Sequence, residues 1–201
     1  MKNLILFACI LFTGILIFAC QPDQKATVEV KDDNMAAEKP AMTKEDSVRR
    51  GEYLVTIMGC HDCHSPKVMT DHGPAPDPAR AFSGHPASEV LPKITDKSMM
   101  APGQWILMNS GITAFSGPWG TSFSANLTPH ETGMGNWTFD NFKRALKEGK
   151  LKGQENGRML LPPMPWPNFR NVTDEDLSIM WQYFRSLPPI DNLVPAPLPP
   201  S

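Results

Sequence analysis

The chain has 201 residues, and its 19 basic and 21 acidic side chains give a formal net charge of −2. No basic block interleaved with aromatic residues occurs, so nucleic acid is not an expected partner. The length favours one domain with appendages and leaves no room for a TIM barrel, and no G-x-G-x-x-G dinucleotide motif occurs.

A lipoprotein signal peptide is predicted over residues 1–19. A basic second residue precedes the apolar run Leu4–Phe18, which is shorter than the about 20 residues of a membrane-spanning helix. The run ends in a sequence that resembles a bacterial lipobox, in which Ala19 precedes the cleaved bond and Cys20 becomes the lipidated N-terminus. We therefore expect an exported protein, anchored to a membrane by lipid and facing the periplasm or cell exterior. An uncleaved anchor or a simple secretory signal is the alternative.

Residues 20–42 are polar, low in aromatic residues and without periodicity, which predicts a flexible tether. The folded domain is expected over residues 43–190. The Pro-rich tail that follows, 191–201, is expected to be extended, either frayed or strapped across the surface of the domain.

Three helices are predicted, each beginning at a threonine that caps the first turn. They run from Thr43 to Gly59, from Thr138 to Gly149 and from Thr173 to Leu187. The apolar side of the first helix is expected to contain Val48, Tyr53, Leu54, Val55, Ile57 and Met58.

A long stretch between residues 65 and 128 is rich in proline, glycine, serine and methionine and has little periodicity. Its first part, residues 65–114, is interpreted as a long insertion. No run of alternating residues indicates a strand, so we expect a mainly α domain in which short helices are joined by long loops. Loops of this length in a compact domain are usually functional or packed around something.

The sequence Cys60-His61-Asp62-Cys63-His64 has the C-x-x-C-H spacing of a c-type haem attachment site. Two thiols add across the two vinyl groups of the porphyrin, and the following histidine places its imidazole under the iron, so all three residues must lie on one tight turn. We predict one haem c, covalently attached through Cys60 and Cys63, with His64 as an iron ligand. The haem would replace part of an apolar core and be wrapped by the loops.

Other uses of the two cysteines have less support in the sequence. A zinc site needs four ligands, and the remaining histidines, His72, His85 and His130, are scattered singly. A thioredoxin-like dithiol needs a βαβ setting, which is missing. No disulfide framework is expected either, because Cys9 lies in the signal peptide and Cys20 is the lipidation site.

Met164 is the leading candidate for the second axial ligand of the iron. It lies in the segment Leu161–Pro167, where four prolines restrict the backbone just before the last helix. A weak, neutral thioether ligand benefits from such preorganisation. Met159, Met99, Met100 or a histidine remain alternatives.

Together these motifs resemble a class I-type monohaem cytochrome c. The likeness is closest to the haem c modules of the cytochrome subunits of bacterial membrane alcohol and gluconate dehydrogenases. The motifs that carry it are Arg50–Leu54, Cys60–His64, Ser124–Pro129, Glu131–Trp137, Pro163–Trp166 and the helix Thr173–Leu187.

The resemblance implies a cytochrome c fold with His64 as the proximal ligand and Met164 as the distal ligand. It also implies that a carbonyl of the Asn126–Pro129 turn accepts the imidazole N–H of His64, a contact that would orient the ring. The first helix should cross the last, with Gly51 allowing a close approach near Trp181 or Tyr183.

The leading functional hypothesis is electron transfer by Fe(III)/Fe(II) cycling in a respiratory or dehydrogenase-linked chain, rather than catalysis. The expected partners are redox proteins: a dehydrogenase, an oxidase or a reductase. The rival hypothesis is a ligand-binding or peroxide-reducing haem protein with an open or displaceable sixth site, where His72, His85 or His130 could supply a polar group. Each of these histidines is expected to lie in an exposed loop. A third hypothesis is a structural lipoprotein module that the haem only stabilises.

Overall fold

The computed structural model describes residues 42–200. The predicted signal peptide, Cys20 and the tether up to residue 41 lie outside the described residues. Five α-helices and five short strands occur within the described range, and the helices contain more residues than the strands. None of the helices described there is long and apolar enough to cross a bilayer.

The helices are α1 (Lys44–Ile57), α2 (Cys60–His64), α3 (Phe139–Glu148), α4 (Trp166–Phe169) and α5 (Asp174–Ser186). The strands are β1 (Lys67–Thr70), β2 (Gly73–Pro76), β3 (Leu107–Met108), β4 (Ala114–Gly117) and β5 (Gly120–Phe123). β1 and β2 form an antiparallel hairpin, while β3, β4 and β5 form an antiparallel sheet in that order.

The predicted threonine caps are confirmed. In each long helix the hydroxyl of the capping threonine accepts a backbone N–H three residues further on. Thr138 forms a full capping box with Asn141, and Gly149, at φ 68°, ends α3 as expected. α1 is shorter than predicted, since it ends at Ile57, two residues before Gly59.

The buried side of α1 agrees with the predicted apolar side only in part. The buried residues of this helix are Ser47, Gly51, Leu54 and Val55, of which Leu54 and Val55 were expected. Tyr53 and Ile57, which we expected on the inner face, are 52% and 61% exposed. Small residues take their place because this face of the helix lies directly against α5, where larger side chains have no space.

α1 crosses α5 with Gly51 at the contact, as the resemblance implied. Gly51 meets Ile179 and Tyr183, so of the two expected neighbours Tyr183 is the contact. The hydrophobic core extends from this crossing to α3 and to Phe82, which reaches in from the long loop region and is completely buried.

The expectation that residues 65–128 contain no strands is wrong. β1–β5 all lie there. β4 is buried at all four positions. Burial alternates along β2 and β5, but their sequences, Gly-Pro-Ala-Pro and Gly-Thr-Ser-Phe, do not alternate apolar with polar residues. Such strands are specified by their pairing partners rather than by a period of two in their own sequence.

The Pro-rich tail is strapped to the domain. The backbone N–H and C=O groups of Leu198 pair with those of Thr121 on β5, both at 2.9 Å. Nearer the start of the tail, the side-chain amide of Asn192 donates to the carbonyls of Ser83 at 2.7 Å and His85 at 2.8 Å. The tail thus connects β5 with the loop that follows β2.

Candidate haem site

The C-x-x-C-H motif forms its own short helix, α2. Gly59 has a φ of 68° and redirects the chain between α1 and α2, a backbone conformation that glycine adopts without strain. Helical spacing of three and four residues places Cys60, Cys63 and His64 on the same side of α2. Both thiols are half-buried and neither is in a disulfide.

The two thiols are neutral at neutral pH. Burial raises the pKa of Cys60 to about 12, and the nearby Asp62 carboxylate acts in the same direction. Burial and Asp62 also raise the pKa of Cys63, while Lys67 opposes them. Reduced thiols on one turn are the groups that addition to two vinyl groups requires.

The imidazole of His64 is oriented by one hydrogen bond. Its Nδ1 lies 2.8 Å from the carbonyl oxygen of Ala125. A carbonyl only accepts, so Nδ1 carries the hydrogen and Nε2 retains a lone pair. Burial lowers the pKa of His64, with the Ala125 carbonyl acting in the opposite direction, so the ring is neutral. The acceptor lies one residue before the Asn126–Pro129 turn in which we expected it.

Lys67 holds the carboxyl end of α2, a contact that the sequence analysis missed. Its ammonium donates to the carbonyls of Asp62 at 2.9 Å and Ser65 at 2.6 Å, with a longer contact of 3.4 Å to His61. A cation at this end of a helix satisfies carbonyls that have no partner within the helix. In the sequence, the basic residue three positions after the motif could have indicated this contact with the end of the helix.

The long loop region folds back onto α2 at two points. Ser65, which is completely buried, has its hydroxyl 2.9 Å from Nδ1 of His61 and accepts the backbone N–H of Phe82 at 3.0 Å. The rings of His61 and Phe82 lie 3.8 Å apart between centroids. The N–H of Gly84 donates to the carbonyl of His64 at 2.8 Å. These bonds fix the motif to the region that we had interpreted only as an insertion.

Met164 is half-buried in a segment that is bonded to other elements. Before it, the N–H of Leu160 donates to the carbonyl of Gly149 at 2.6 Å. Within the segment, the hydroxyl of Ser122 on β5 donates to the carbonyl of Pro162 at 2.6 Å. The preorganised loop that we expected is therefore supported by neighbouring elements as well as by its prolines.

β5 and the residues after it contact both candidate ligand segments. Ser122 bonds the segment that contains Met164, and Ala125 bonds the ring of His64. Three extended residues span at most about 10 Å, so the two contacts lie close together, one on β5 and the other two residues after it. The alternative methionines Met99 and Met159 are 39% and 42% exposed.

The expectation of exposed loop histidines is wrong for His85. It is 1% exposed, and its Nδ1 lies 2.9 Å from the hydroxyl of Thr113. Its ring packs against that of Phe123 at 4.8 Å between centroids. Burial lowers the pKa of His85, and Glu89 opposes this effect. His85 was predicted wrongly because both ring contacts come from residues far along the chain.

Among residues 42–200, no group of three or more His, Cys, Asp or Glu side chains converges on a point where a metal ion could bind. In this part of the chain, Cys60 and Cys63 therefore have no second pair of ligands of the kind that a zinc site uses. One oriented imidazole with a free Nε2 and two thiols on one turn fit the attachment of a c-type haem.

Comparisons with known proteins agree with this class of site. No family model matches the chain. It is 32% identical over 138 residues to the gluconate 2-dehydrogenase cytochrome c subunit of Pantoea cypripedii, a match covering 68% of this chain and 22% of that protein. It is 28% identical over 141 residues to the alcohol dehydrogenase (quinone) cytochrome c subunit of Gluconobacter oxydans, covering 70% and 21%. The fructose dehydrogenase cytochrome subunit of Gluconobacter japonicus is 28% identical over 154 residues, covering 76% and 24%.

These relatives confirm the resemblance to the haem c modules of dehydrogenase cytochrome subunits. The chain spans less than a quarter of the length of each of these three relatives. All three are named as cytochrome subunits, which supports a cytochrome c fold for this chain.

Proposed function

We propose that this protein transfers single electrons through one c-type haem attached to Cys60 and Cys63 and bound by His64. The observation that carries the proposal is the hydrogen bond from Nδ1 of His64 to Ala125, which leaves Nε2 of a neutral ring available on the same turn as two thiols. When bound, haem c supplies one-electron exchange between Fe(III) and Fe(II).

Each of these residues has a separate task in the proposal. The two thiols fix the cofactor to α2, and the Ala125 carbonyl fixes the tautomer of His64 and raises its basicity as a ligand. Met164 supplies a thioether as the second ligand, which favours the reduced state and raises the reduction potential. Two protein ligands leave no open position for a substrate, and this favours electron transfer over peroxide reduction.

We propose that the mature protein is exported and anchored by lipid on Cys20, with residues 20–42 as a tether, residues 43–190 as a mainly α domain wrapped around the haem, and 191–201 as the tail. Its partner would be a dehydrogenase, with an oxidase or reductase on the other side of the chain of electron carriers. The apolar run and lipobox of the N-terminal sequence support the anchor, and the names of the relatives support the dehydrogenase.

The proposed anchor is tested by changing Cys20→Ser in the full-length protein expressed in a bacterial host. The variant has no thiol to acylate, so mass spectrometry should show neither the lipid nor cleavage before residue 20. Cys9→Ser is the matched control and should keep both. A Cys20 variant that is cleaved and recovered with the membrane like wild type would show that another segment anchors the protein.

The proposed ligands are tested by optical spectra of the ferric holoprotein. Wild type should be low-spin with a sulfur-to-iron charge-transfer band, and Met164→Ala should lose that band. Met159→Ala is the matched control, because Met159 lies five residues earlier in the chain and is 42% exposed. It should leave the band unchanged.

Two outcomes would contradict this assignment. A high-spin wild type that binds cyanide or carbon monoxide readily would favour the ligand-binding or peroxide-reducing alternative. Loss of the band in Met159→Ala but not in Met164→Ala would move the second ligand to Met159. The mass of the holoprotein should show one haem, and replacing both Cys60 and Cys63 by serine should abolish covalent attachment.

A further inference from the structure

The segment Leu161–Met164 has few backbone donors of its own. Pro162 and Pro163 lack an N–H group, and prolines also occupy positions 165 and 167. Among the described residues 42–200, the hydroxyl of Ser122 is the one group that hydrogen-bonds this segment, at 2.6 Å to the carbonyl of Pro162. Prolines restrict the shape of the segment, but they do not hold it against the rest of the domain.

Ser122 is placed to make this bond strong. Its side chain is buried, with 7% of the residue exposed, and its oxygen accepts the indole N–H of Trp119 at 3.2 Å. The single hydroxyl hydrogen has a second possible acceptor in the carbonyl of Phe115, but at 3.4 Å that contact is longer. The bond to Pro162 is therefore the favoured one.

The strand that contains Ser122 is fixed on both edges. β4 pairs with one edge of β5, from Ala114 with Phe123 to Gly117 with Gly120. On the other edge, Thr121 pairs with Leu198 of the tail. Ala125, the second residue after the end of β5, has the carbonyl that orients the ring of His64. β5 and the two residues after it thus contact the segments of both candidate iron ligands.

We infer that Ser122 is a positioning residue for Met164, and that β5 and the two residues after it position both candidate iron ligands. This inference rests on the proposed function. The hydroxyl bonds the carbonyl of Pro162, two residues before Met164, to β5, and the chain that continues from β5 orients His64 through Ala125. A thioether is a weak ligand. Its bond to iron is therefore stable only if the segment Leu161–Met164 stays in place when the bond opens, so that the thioether can bind again.

The test is a titration of the full-length ferric holoprotein with imidazole, which competes with a thioether for the iron. The readout is the imidazole concentration at which half of the sulfur-to-iron band is lost. Ser122→Ala should remain low-spin before imidazole is added but need about tenfold less of it, since a buried hydrogen bond is worth about that factor. Ser122→Thr restores the hydroxyl and should return the midpoint toward the wild-type value.

Ser116→Ala is the matched control. Ser116 lies on β4, is 6% exposed, and its hydroxyl bonds Thr121 at 2.7 Å rather than the methionine segment. It should leave the imidazole midpoint within about twofold of wild type. An equal shift in Ser116→Ala would overturn the inference, because general loosening of the sheet would then explain the result.

The inference and the proposed function fail in different ways. If wild type has the sulfur-to-iron band and Ser122→Ala matches it in the imidazole titration, Ser122 does not position Met164 and the electron-transfer proposal stands. If wild type lacks the band, Met164 is not the ligand, and both the proposed coordination and the inference are wrong.

Discussion

Gly51 of α1 and Tyr183 of α5 approach so closely that a Cβ atom added to Gly51 would lie 2.7 Å from the Cβ atom of Tyr183. The same added atom would lie 2.6 Å from the carbonyl oxygen of Ile179. Both distances are shorter than real carbon contacts, and one neighbour is backbone. α1 and α5 can therefore cross this closely only because residue 51 is a glycine, which has no side chain.

Gly51→Ala should destabilise the domain. Alanine favours a helix over glycine by about 1 kcal/mol, but steric overlap with fixed atoms of α5 costs more. We expect the free energy of unfolding to fall by about 1–3 kcal/mol, measured by urea denaturation at unchanged m value. Glu52→Ala, at the exposed neighbouring position, should change it by less than about 0.5 kcal/mol. A stabilised Gly51→Ala protein would contradict the packing of α1 on α5.

The parts of the fold that could be predicted from the sequence are those whose cause lies within a few residues. Thr43, Thr138 and Thr173 each cap a helix by accepting a backbone N–H three positions away. The C-x-x-C-H spacing is equally local, and it folds as one helical turn. Such signals depend only on neighbouring residues, so contacts with distant parts of the chain do not change them.

The parts that could not be predicted depend on distant partners. Ser122 and Pro162 are separated by 40 residues, and the side chain of His85 meets Thr113 across 28. No period or spacing in the sequence indicates which serine or histidine acquires such a partner. The same reason explains why β1–β5 were missed, since each short strand is specified by the strand it pairs with.

His85 should make the stability of the protein depend on pH. Burial holds the pKa of His85 below its ordinary value of 6.5, with Glu89 opposing the shift. Above about pH 6.5, His85 is neutral in both the folded and the unfolded protein. At lower pH, His85 of the unfolded chain binds a proton that His85 of the folded protein does not bind. The free energy of unfolding should therefore fall as the pH is lowered from about 7 to about 5.

The variant His85→Gln separates this contribution from those of other groups. Glutamine can still bond the hydroxyl of Thr113 but does not titrate in this range, so the decrease between about pH 7 and about pH 5 should become smaller. His72→Gln, at an exposed turn between β1 and β2, should keep the wild-type pH profile. Identical profiles for His85→Gln and wild type would show that His85 is not protected from protonation.

Lys67→Met should lower both the free energy of unfolding and the reduction potential. The side chain of methionine has similar length but no ammonium, so the carbonyls of Asp62 and Ser65 lose their donor. We expect a loss of about 1–2 kcal/mol in the free energy of unfolding, a discounted value because Lys67 is only half-buried. Removing a positive charge beside α2 should also lower the reduction potential measured by potentiometric titration.

The control for Lys67 is Lys97→Met, which removes an equal charge from an exposed position in a short 3-10 helix. It should leave both the stability and the reduction potential close to the wild-type values. If the Lys97 variant lowers the potential as much as the Lys67 variant, net charge rather than the contact with α2 sets the potential.

Asn192→Ala should release the tail from the loop that follows β2. The amide of Asn192 donates both hydrogens, to the carbonyls of Ser83 and His85, and its oxygen accepts the N–H of Ala87 at 3.0 Å. Ser83 and His85 are buried, so their carbonyls lose partners that water replaces poorly. We expect a loss of about 2–3 kcal/mol in the free energy of unfolding and faster proteolysis of the tail. The control is Asn136→Ala, at an exposed position, which should change neither the free energy of unfolding nor the rate of proteolysis. An Asn192 variant with wild-type stability and proteolysis would show that these contacts of the tail add no stability.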